Sequence, residues 1–367
     1  MRKILFLIHD LGQGGAEKVL VNLVNHMDPE QFDITVMALF GGGVNESFLA
    51  PHVQLRVCHK RMFRGNSHLM KLLSPKRLHQ MYIKESYDVE IAYLEGPCAR
   101  IISGCPNPDT KLICWFHGEQ GTMRTLAASF RSEQEARDCY RRFHHRVCVS
   151  QGVRQDIGRI LDLDEPCTVV YNTVESGKIL QLSAEPWQAE EGVLRLIAVG
   201  SLKPVKGYDR LLRIVKRLHG EGYPIHLYIL GIGPLQKELE AYTLAEGLTN
   251  TVTFLGYDTN PYKHLAKCDL FLCASHAEGF STAATEALIV GTPVCTVEVS
   301  GMRELLGEEN EWGIVTENCE EALYHGIKGL LVDASLLSYY QKQAALRGKT
   351  FSTERTVAAV TEFLLRV

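Results

Sequence analysis

The stretch from Cys268 to Val294, CDLFLCASHAEGFSTAATEALIVGTPV, restricts the possible folds more than any other. Its first eight residues cluster apolar side chains as a strand buried on both faces of a parallel sheet does. The helix expected next stops at Gly291, with Pro293 just beyond. That order puts Glu278 at the C-terminal edge of a strand, where Gly279 frees the backbone to turn. Ser281 and Thr282 are then the candidate caps of the helix that follows. In an open α/β sheet this edge is where ligands bind. The free N–H groups of a helix start suit an anion such as a phosphate. Glu278 and Glu286 would flank that anion and accept from hydroxyl-rich groups. Taken singly, each of these residues also fits an ordinary strand–loop–helix connection.

The same unit recurs. The opening KILFLIHDLGQGGAEKVLVNLVNHM is a buried strand, a glycine-rich loop and an amphipathic helix. Gly12, Gly14 and Gly15 invite a dinucleotide reading, but that reading needs an acid near the end of the second strand. FDITVMALF runs instead into Gly41, Gly42 and Gly43, so a nicotinamide enzyme is disfavoured. YDVEIAYLE, TKLICWFHGE and HRVCVSQGV continue one parallel sheet, and TVVYNTV closes it. SGKILQLSAEPWQAEEGV is polar and reads as a linker. LRLIAVGSLKPVKGYDRLLRIVKRLHG then restarts the pattern, followed by IHLYILGIGPL, NTVTFLGYD and the stretch above. A chain of 367 residues exceeds what one core usually holds. The expectation is therefore two Rossmann-like α/β domains, residues 1–184 and 185–350, with 351–367 a closing helix.

The balance of charges, −4 at neutral pH, gives no reason to expect nucleic acid as a partner. Eleven cysteines occur without a C-x-x-C pair, and Cys114, Cys148, Cys273 and Cys295 sit in strand-like apolar runs, where thiols act as small hydrophobes. With no leader segment recognised, a reducing cytoplasm is expected. No apolar run reaches the roughly 20 residues of a spanning helix. Membrane contact would thus be peripheral, and the segment 56–84 is the place for it. Between Ser47 and Lys84 there is no acid, while Arg56, Lys60, Arg61, Arg64, Lys71, Lys76, Arg77 and Lys84 alternate with Met62, Phe63, Leu69, Met70, Leu72 and Leu73. Basic residues beside apolar ones suit an anionic lipid surface, and a solvated basic face has the same composition.

The ordered string Ser275, Glu278-Gly279-Phe280, Glu286-Ala287 and Gly291-Thr292-Pro293-Val294 resembles the E-x7-E region of the retaining glycosyltransferases of family 4. The resemblance extends over nearly the whole chain and is weakest over 44–90. It implies a GT-B architecture, two Rossmann-like domains facing across a cleft with the C-terminal helix crossing back to the first. It also implies transfer of a sugar from a nucleotide sugar, a UDP-sugar by preference, to a lipid-linked saccharide or polysaccharide precursor. Such an enzyme would work at the cytoplasmic face of a membrane.

By position in the family's motifs, the N-terminal loop with Gly14 and Gly15 faces acceptor and donor diphosphate. His117 is the active-site histidine that touches donor sugar or acceptor. Lys206 is the diphosphate lysine, and Glu278 holds the sugar hydroxyls and the developing positive charge. The backbone of Gly279, Phe280, Ser281 and Thr282 meets the diphosphate, and Glu286 accepts from the ribose. Gly231 and Tyr257 lie near the base. One departure stands out: the family's arginine after the loop's first glycine is here Ser201, and only Lys203, two residues on, could restore the charge. Asp162-Leu163-Asp164 matches the D-x-D of metal-dependent transferases but lacks a second ligand set, so neither a catalytic metal nor a cofactor is expected. Two alternatives stay open: a nucleotide-sugar hydrolase or epimerase of the same architecture, and a catalytically silent partner of an active transferase.

Overall fold

In the computed structural model, which describes residues 1–61, 70–163 and 167–367, the strand signals resolve into two parallel sheets. The first contains β1 (Arg2–Ile8), β2 (Phe32–Phe40), β3 (Gln54–His59), β4 (Val89–Ala92), β5 (Lys111–Phe116), β6 (His145–Cys148) and β7 (Thr168–Val169). The second contains β8 (Leu194–Val199), β9 (Ile225–Leu230), β10 (Val252–Gly256), β11 (Leu270–Cys273), β12 (Val294–Val297) and β13 (Ile314–Thr316). Their orders are 3-2-1-4-5-6-7 and 10-9-8-11-12-13. Both are Rossmann-like, and each reverses direction once, between β1 and β4 and between β8 and β11. Ligands of such sheets bind beyond the strand C-termini at that reversal.

Burial explains the apolar runs. Ile4 to Ile8 of β1 have no exposed surface, because helices cover both faces of a parallel sheet. On β8, Leu196 packs into a cluster with Leu211, Leu227, Leu323 and Ile327. Its neighbour Ile197 points to the other face, against Phe271, Ala284, Leu288 and Met302. All eleven cysteines are free thiols, and Cys114, Cys148, Cys273 and Cys295 are buried in their strands.

The chain divides into two compact units, residues 1–173 with 354–367, and residues 174–353. The last helix, Thr353–Arg366, thus belongs mainly with the first unit. There Phe363 packs edge-on against His145 at 5.7 Å, and Arg2 donates to the Leu364 carbonyl. Residues 174–184 go with the second unit, although their polarity reads as linker. Ser176–Ser183 is a helix whose Ile179 is 2% exposed in the second core, with Leu182 and Trp187 packed beside it. Two apolar side chains of the helix, with Trp187 beyond its end, seat it.

No helix among the described residues is long and apolar enough to cross a membrane. Of the basic segment, Met62, Phe63, Arg64 and Leu69 lie outside the described residues. So does Asp164, while Asp162 ends the helix Gln151–Leu161 in a left-handed conformation, φ 51°.

One group of three side chains able to ligate a metal occurs among the described residues: His79, Glu90 and Cys105, all buried in the first unit. His79 Nε2 lies 2.8 Å from Glu90 Oε2, so imidazole and carboxylate already satisfy each other. Burial opposes the His79 charge, but hydrogen bonds with Cys105 and Glu90 and the Glu90 charge outweigh it and raise the imidazole to about 9. A folded value above the ordinary 6.5 means that the contribution to stability is complete below pH 6.5 and lost as pH rises through about 9. It amounts to no more than about 3 kcal/mol. In urea titrations the stability gap between wild type and His79→Gln is expected to narrow from pH 6.5 to 9.5. A gap that stays constant would contradict a charged His79.

Candidate functional site

In the second unit the two loops that flank the strand reversal are stitched together. After β8 the chain runs Gly200-Ser201-Leu202-Lys203, makes a 3-10 turn over Pro204–Lys206, and reaches Gly207 in the left-handed region. A β-carbon on Gly207 would stand 2.0 Å from the Ala274 carbonyl oxygen, so glycine alone permits this approach to the end of β11. The approach brings Lys206 Nζ within 2.6 Å of Glu278 Oε1. Ser275 Oγ donates to the same oxygen at 2.6 Å. From the helix Tyr208–Gly220, the buried Arg210 donates to the carbonyls of Ala274 (2.7 Å) and Ser275 (2.9 Å) and to Asn318 Oδ1 (2.9 Å). The His276 N–H closes the seam on the Val205 carbonyl at 2.7 Å. Burial opposes the Lys206 charge, but the Glu278 carboxylate outweighs it and holds the ammonium above its ordinary value.

Beyond Glu278 the chain turns through Gly279 and Phe280 into the helix Thr282–Ile289, with Ser281 Oγ accepting from the Ala284 N–H at 3.2 Å. Glu286 is buried one turn into that helix, and the Tyr262 hydroxyl lies 3.4 Å from its Oε1. Gly231 follows β9 with its N–H on the Gly256 carbonyl, and a β-carbon there would stand 2.0 Å from the Gly200 carbonyl oxygen. The glycine after β9 is thus required by the 200–202 loop packed on it. Tyr257, after β10, is 43% exposed and leaves its ring open to a ligand. Ser201 is half-buried and Lys203 exposed. The structure therefore joins Lys206, Glu278 and the capped helix start in one place, with Glu286 behind them. Lys203 takes no part in that cluster.

In the first unit, Gly14 and Gly15 open the helix Gly15–His26 beyond β1. His117 begins the loop after β5, with its ring 4.6 Å from that of Tyr93. Its Nε2 is shielded and has no hydrogen-bond partner. Burial pushes the imidazole down to about 3, so it is neutral at ordinary pH. Glu95, three residues past β4, takes the His117 N–H at 3.4 Å on one oxygen and Gln120 Nε2 at 2.8 Å on the other. Asp156, on the helix Gln151–Leu161, accepts from the N–H groups of Gln120 (2.7 Å) and Gly121 (3.0 Å). Arg159 braces it with bonds to Asp156 Oδ1 (2.6 Å) and the Gly121 carbonyl (2.9 Å). Sequence reasoning missed Ser275, Arg210, Tyr262, Glu95, Gln120 and Asp156 as site residues. Ser275 stands inside the recognised string, and Glu95 ends the run YDVEIAYLE before Gly-Pro, much as Glu278 follows CDLFLCAS before Gly-Phe.

Residues 183–347 match the family Glycosyl transferases group 1, and residues 13–178 match Glycosyltransferase Family 4. A relative from Campylobacter jejuni, N-acetylgalactosamine-N,N'-diacetylbacillosaminyl-diphospho-undecaprenol 4-alpha-N-acetylgalactosaminyltransferase, is 27% identical, with 100% of each chain covered. The lipopolysaccharide core biosynthesis glycosyltransferase LpsE of Rhizobium meliloti is 24% identical over 88% of this chain and 87% of its own. Among solved structures, HepE of Anabaena in complex with UDP and glucose superposes with a TM-score of 0.78 at 20% identity, covering all of both chains. With two Rossmann-like units, a lysine–glutamate pair at the sheet edge of the second and family matches across both, the chain belongs to the group 1, family 4 glycosyltransferases.

Proposed function

We propose that this glycosyltransferase moves a sugar, with retention of its anomeric configuration, from a nucleotide sugar to a lipid-linked saccharide or polysaccharide precursor at the cytoplasmic face of a membrane. UDP is the favoured nucleotide. The observation that carries the reading is the Lys206–Glu278 pair at 2.6 Å beside a capped helix start. A lysine held charged there meets the diphosphate and stabilises the charge that develops on it as the sugar leaves. The helix N-terminus adds N–H donors to the same group. Glu278 accepts from sugar hydroxyls and offsets positive charge on the sugar carbon, while Glu286 accepts from the ribose. The leaving phosphate takes the acceptor's proton, so no metal and no cofactor are assigned. Gly14, Gly15 and His117 serve the acceptor. The complex of HepE with UDP and glucose supports the nucleotide, and the undecaprenol-linked substrate in the Campylobacter relative's name supports the acceptor class.

A thermal-shift panel of nucleoside diphosphates and nucleotide sugars tests the donor site. A ligand at a hundredfold excess over Kd adds ~2.7 kcal/mol of apparent stability. One base should shift the transition in wild type and fail to do so in Glu286→Ala. No shift with any nucleotide would end the donor assignment, and a β-linked product by NMR from an α-linked donor would end retention.

Membrane contact is assigned to the described part of 56–84. Leu72 and Met81 are 72% and 44% exposed, and Lys60, Lys76, Arg77 and Lys84 are exposed as well. The backbone that presents Leu72 is clamped: Arg100 takes the carbonyls of Met70 and Leu73, and Arg131 those of Lys71 and Leu72. The protein is expected to float with vesicles containing anionic lipid and to be weakened in Leu72→Ser and Lys76→Glu. Equal binding to neutral vesicles would remove the electrostatic part of this assignment.

A further inference from the structure

We propose that Glu95 is an acceptor-binding residue, its carboxylate and the partnerless Nε2 of His117 together receiving the hydroxyls at the saccharide end of the acceptor. The proposal rests on the first unit being the acceptor side.

Position comes first. β4 and β5 are paired neighbours, β4 borders the strand reversal, and Glu95 and His117 stand just beyond their C-terminal ends. That is the ligand edge of this sheet. The state of the carboxylate comes next. Glu95 is half-buried, and burial raises its carboxyl above the ordinary value. The groups that hold it are neutral, the His117 N–H at a long 3.4 Å and the Gln120 amide at 2.8 Å. An ionised carboxylate has about four acceptor directions, so the bonds from His117, Gln120 and its own backbone N–H leave room for a ligand's hydroxyl.

The loop does not depend on Glu95 alone. The loop that Glu95 touches is already held from the other side, where Asp156 takes two of its N–H groups and Arg159 locks Asp156. His117 supplies an independent sign of a ligand. Its Nε2 is shielded and without a partner, which an imidazole in a finished structure rarely tolerates. Neutral imidazole can donate or accept there, and a hydroxyl can do the reverse. An unneutralised carboxylate attracts hydroxyl donors and repels phosphate. The site therefore reads sugar rather than the diphosphate of a lipid-linked acceptor.

The experiment compares wild type, Glu95→Gln and Asp156→Asn in three assays. These are the nucleotide thermal shift, hydrolysis of nucleotide sugar to water, and transfer to octyl glycosides of glucose, galactose, N-acetylglucosamine and N-acetylgalactosamine with their monodeoxy forms. Glu95→Gln should keep the nucleotide thermal shift, raise the glycoside KM by about tenfold or more, and lose the penalty for one deoxy position. Asp156→Asn should lower kcat while leaving the deoxy preference as in wild type. The proposal is overturned if Glu95→Gln keeps the wild-type KM and deoxy preference, or if both variants change kcat and KM alike. It is also overturned if wild type hydrolyses donor yet transfers to no glycoside. Absence of a nucleotide shift in wild type is a different failure, that of the donor site in the second unit.

Discussion

Lys206→Ala is expected to lower kcat for transfer by about 10²–10³-fold, the usual effect of removing one preorganised charge partner of a reacting group. The lysine is fixed before any ligand arrives, by a turn that only Gly207 permits and by the Glu278 carboxylate 2.6 Å away. Nothing need reorganise for it to meet a leaving diphosphate, and that is why its loss falls on kcat as well as on binding. Glu278→Gln should reach a similar loss by another route. It keeps a group that Ser275 can still hold but removes the charge proposed to face the sugar, so nucleoside diphosphate binding is expected to survive while turnover is not. The two side chains touch, so the double variant should lose less than the sum of the single losses. Lys206→Ala also strands a carboxylate whose side chain is only 11% exposed. Melting curves must therefore accompany the kinetics. A folded Lys206→Ala protein within about threefold of wild-type kcat would remove this lysine from the transfer chemistry.

How much of this was legible in the sequence depends on range. The strands were legible because a parallel strand buried on both faces is a continuous apolar run, as in ILFLI and DLFLC. Glu278 was legible because it stands just past such a run, beside glycine, whereas Lys206 and His117 were picked out by their positions in the family's motifs. What the sequence hid are the partners that reach across from other elements. Arg210 lies on an amphipathic helix where arginine normally faces water, and only the fold turns its guanidinium toward the end of β11. Asp156 likewise looks like one more polar residue of a helix until the 117–121 loop is laid on it. The helix Ser176–Ser183 was hidden for a different reason. Eight residues with few apolar side chains carry little periodicity, and its place is decided by the core that Ile179 enters. Gly231 was placed near the base by its position in the family's motifs, and the close approach of the neighbouring loop requires glycine there as well.

The largest loss of stability is expected from Arg210→Ala, about 2–6 kcal/mol, the sum for two buried carbonyls that lose their donors. Arg210 is 4% exposed, and its guanidinium spends three N–H groups on the Ala274 and Ser275 carbonyls and the Asn318 side chain. Alanine leaves two carbonyls at the end of β11 without partners and a cavity where the planar group lay, and each unmet buried acceptor costs about 1–3 kcal/mol. Lysine cannot substitute, because one ammonium does not span three acceptors arranged for a fork, so Arg210→Lys should recover only part of the loss. The damage should be local in the chain. Unfolding of a two-unit protein need not be a single transition, and only the transition of the second unit should move, by roughly 2–4 °C per kcal/mol for a unit of this size. Function should fall with it, because Ser275 holds Glu278 Oε1 and is itself held by Arg210. If the proposed donor site is right, saturating nucleotide should then restore part of the melting temperature without restoring wild-type kcat. A variant with less than about 1 kcal/mol of loss would mean that water replaces the guanidinium at these carbonyls. In that case the seam between the β8 and β11 loops is held by the Lys206–Glu278 pair and the His276–Val205 hydrogen bond.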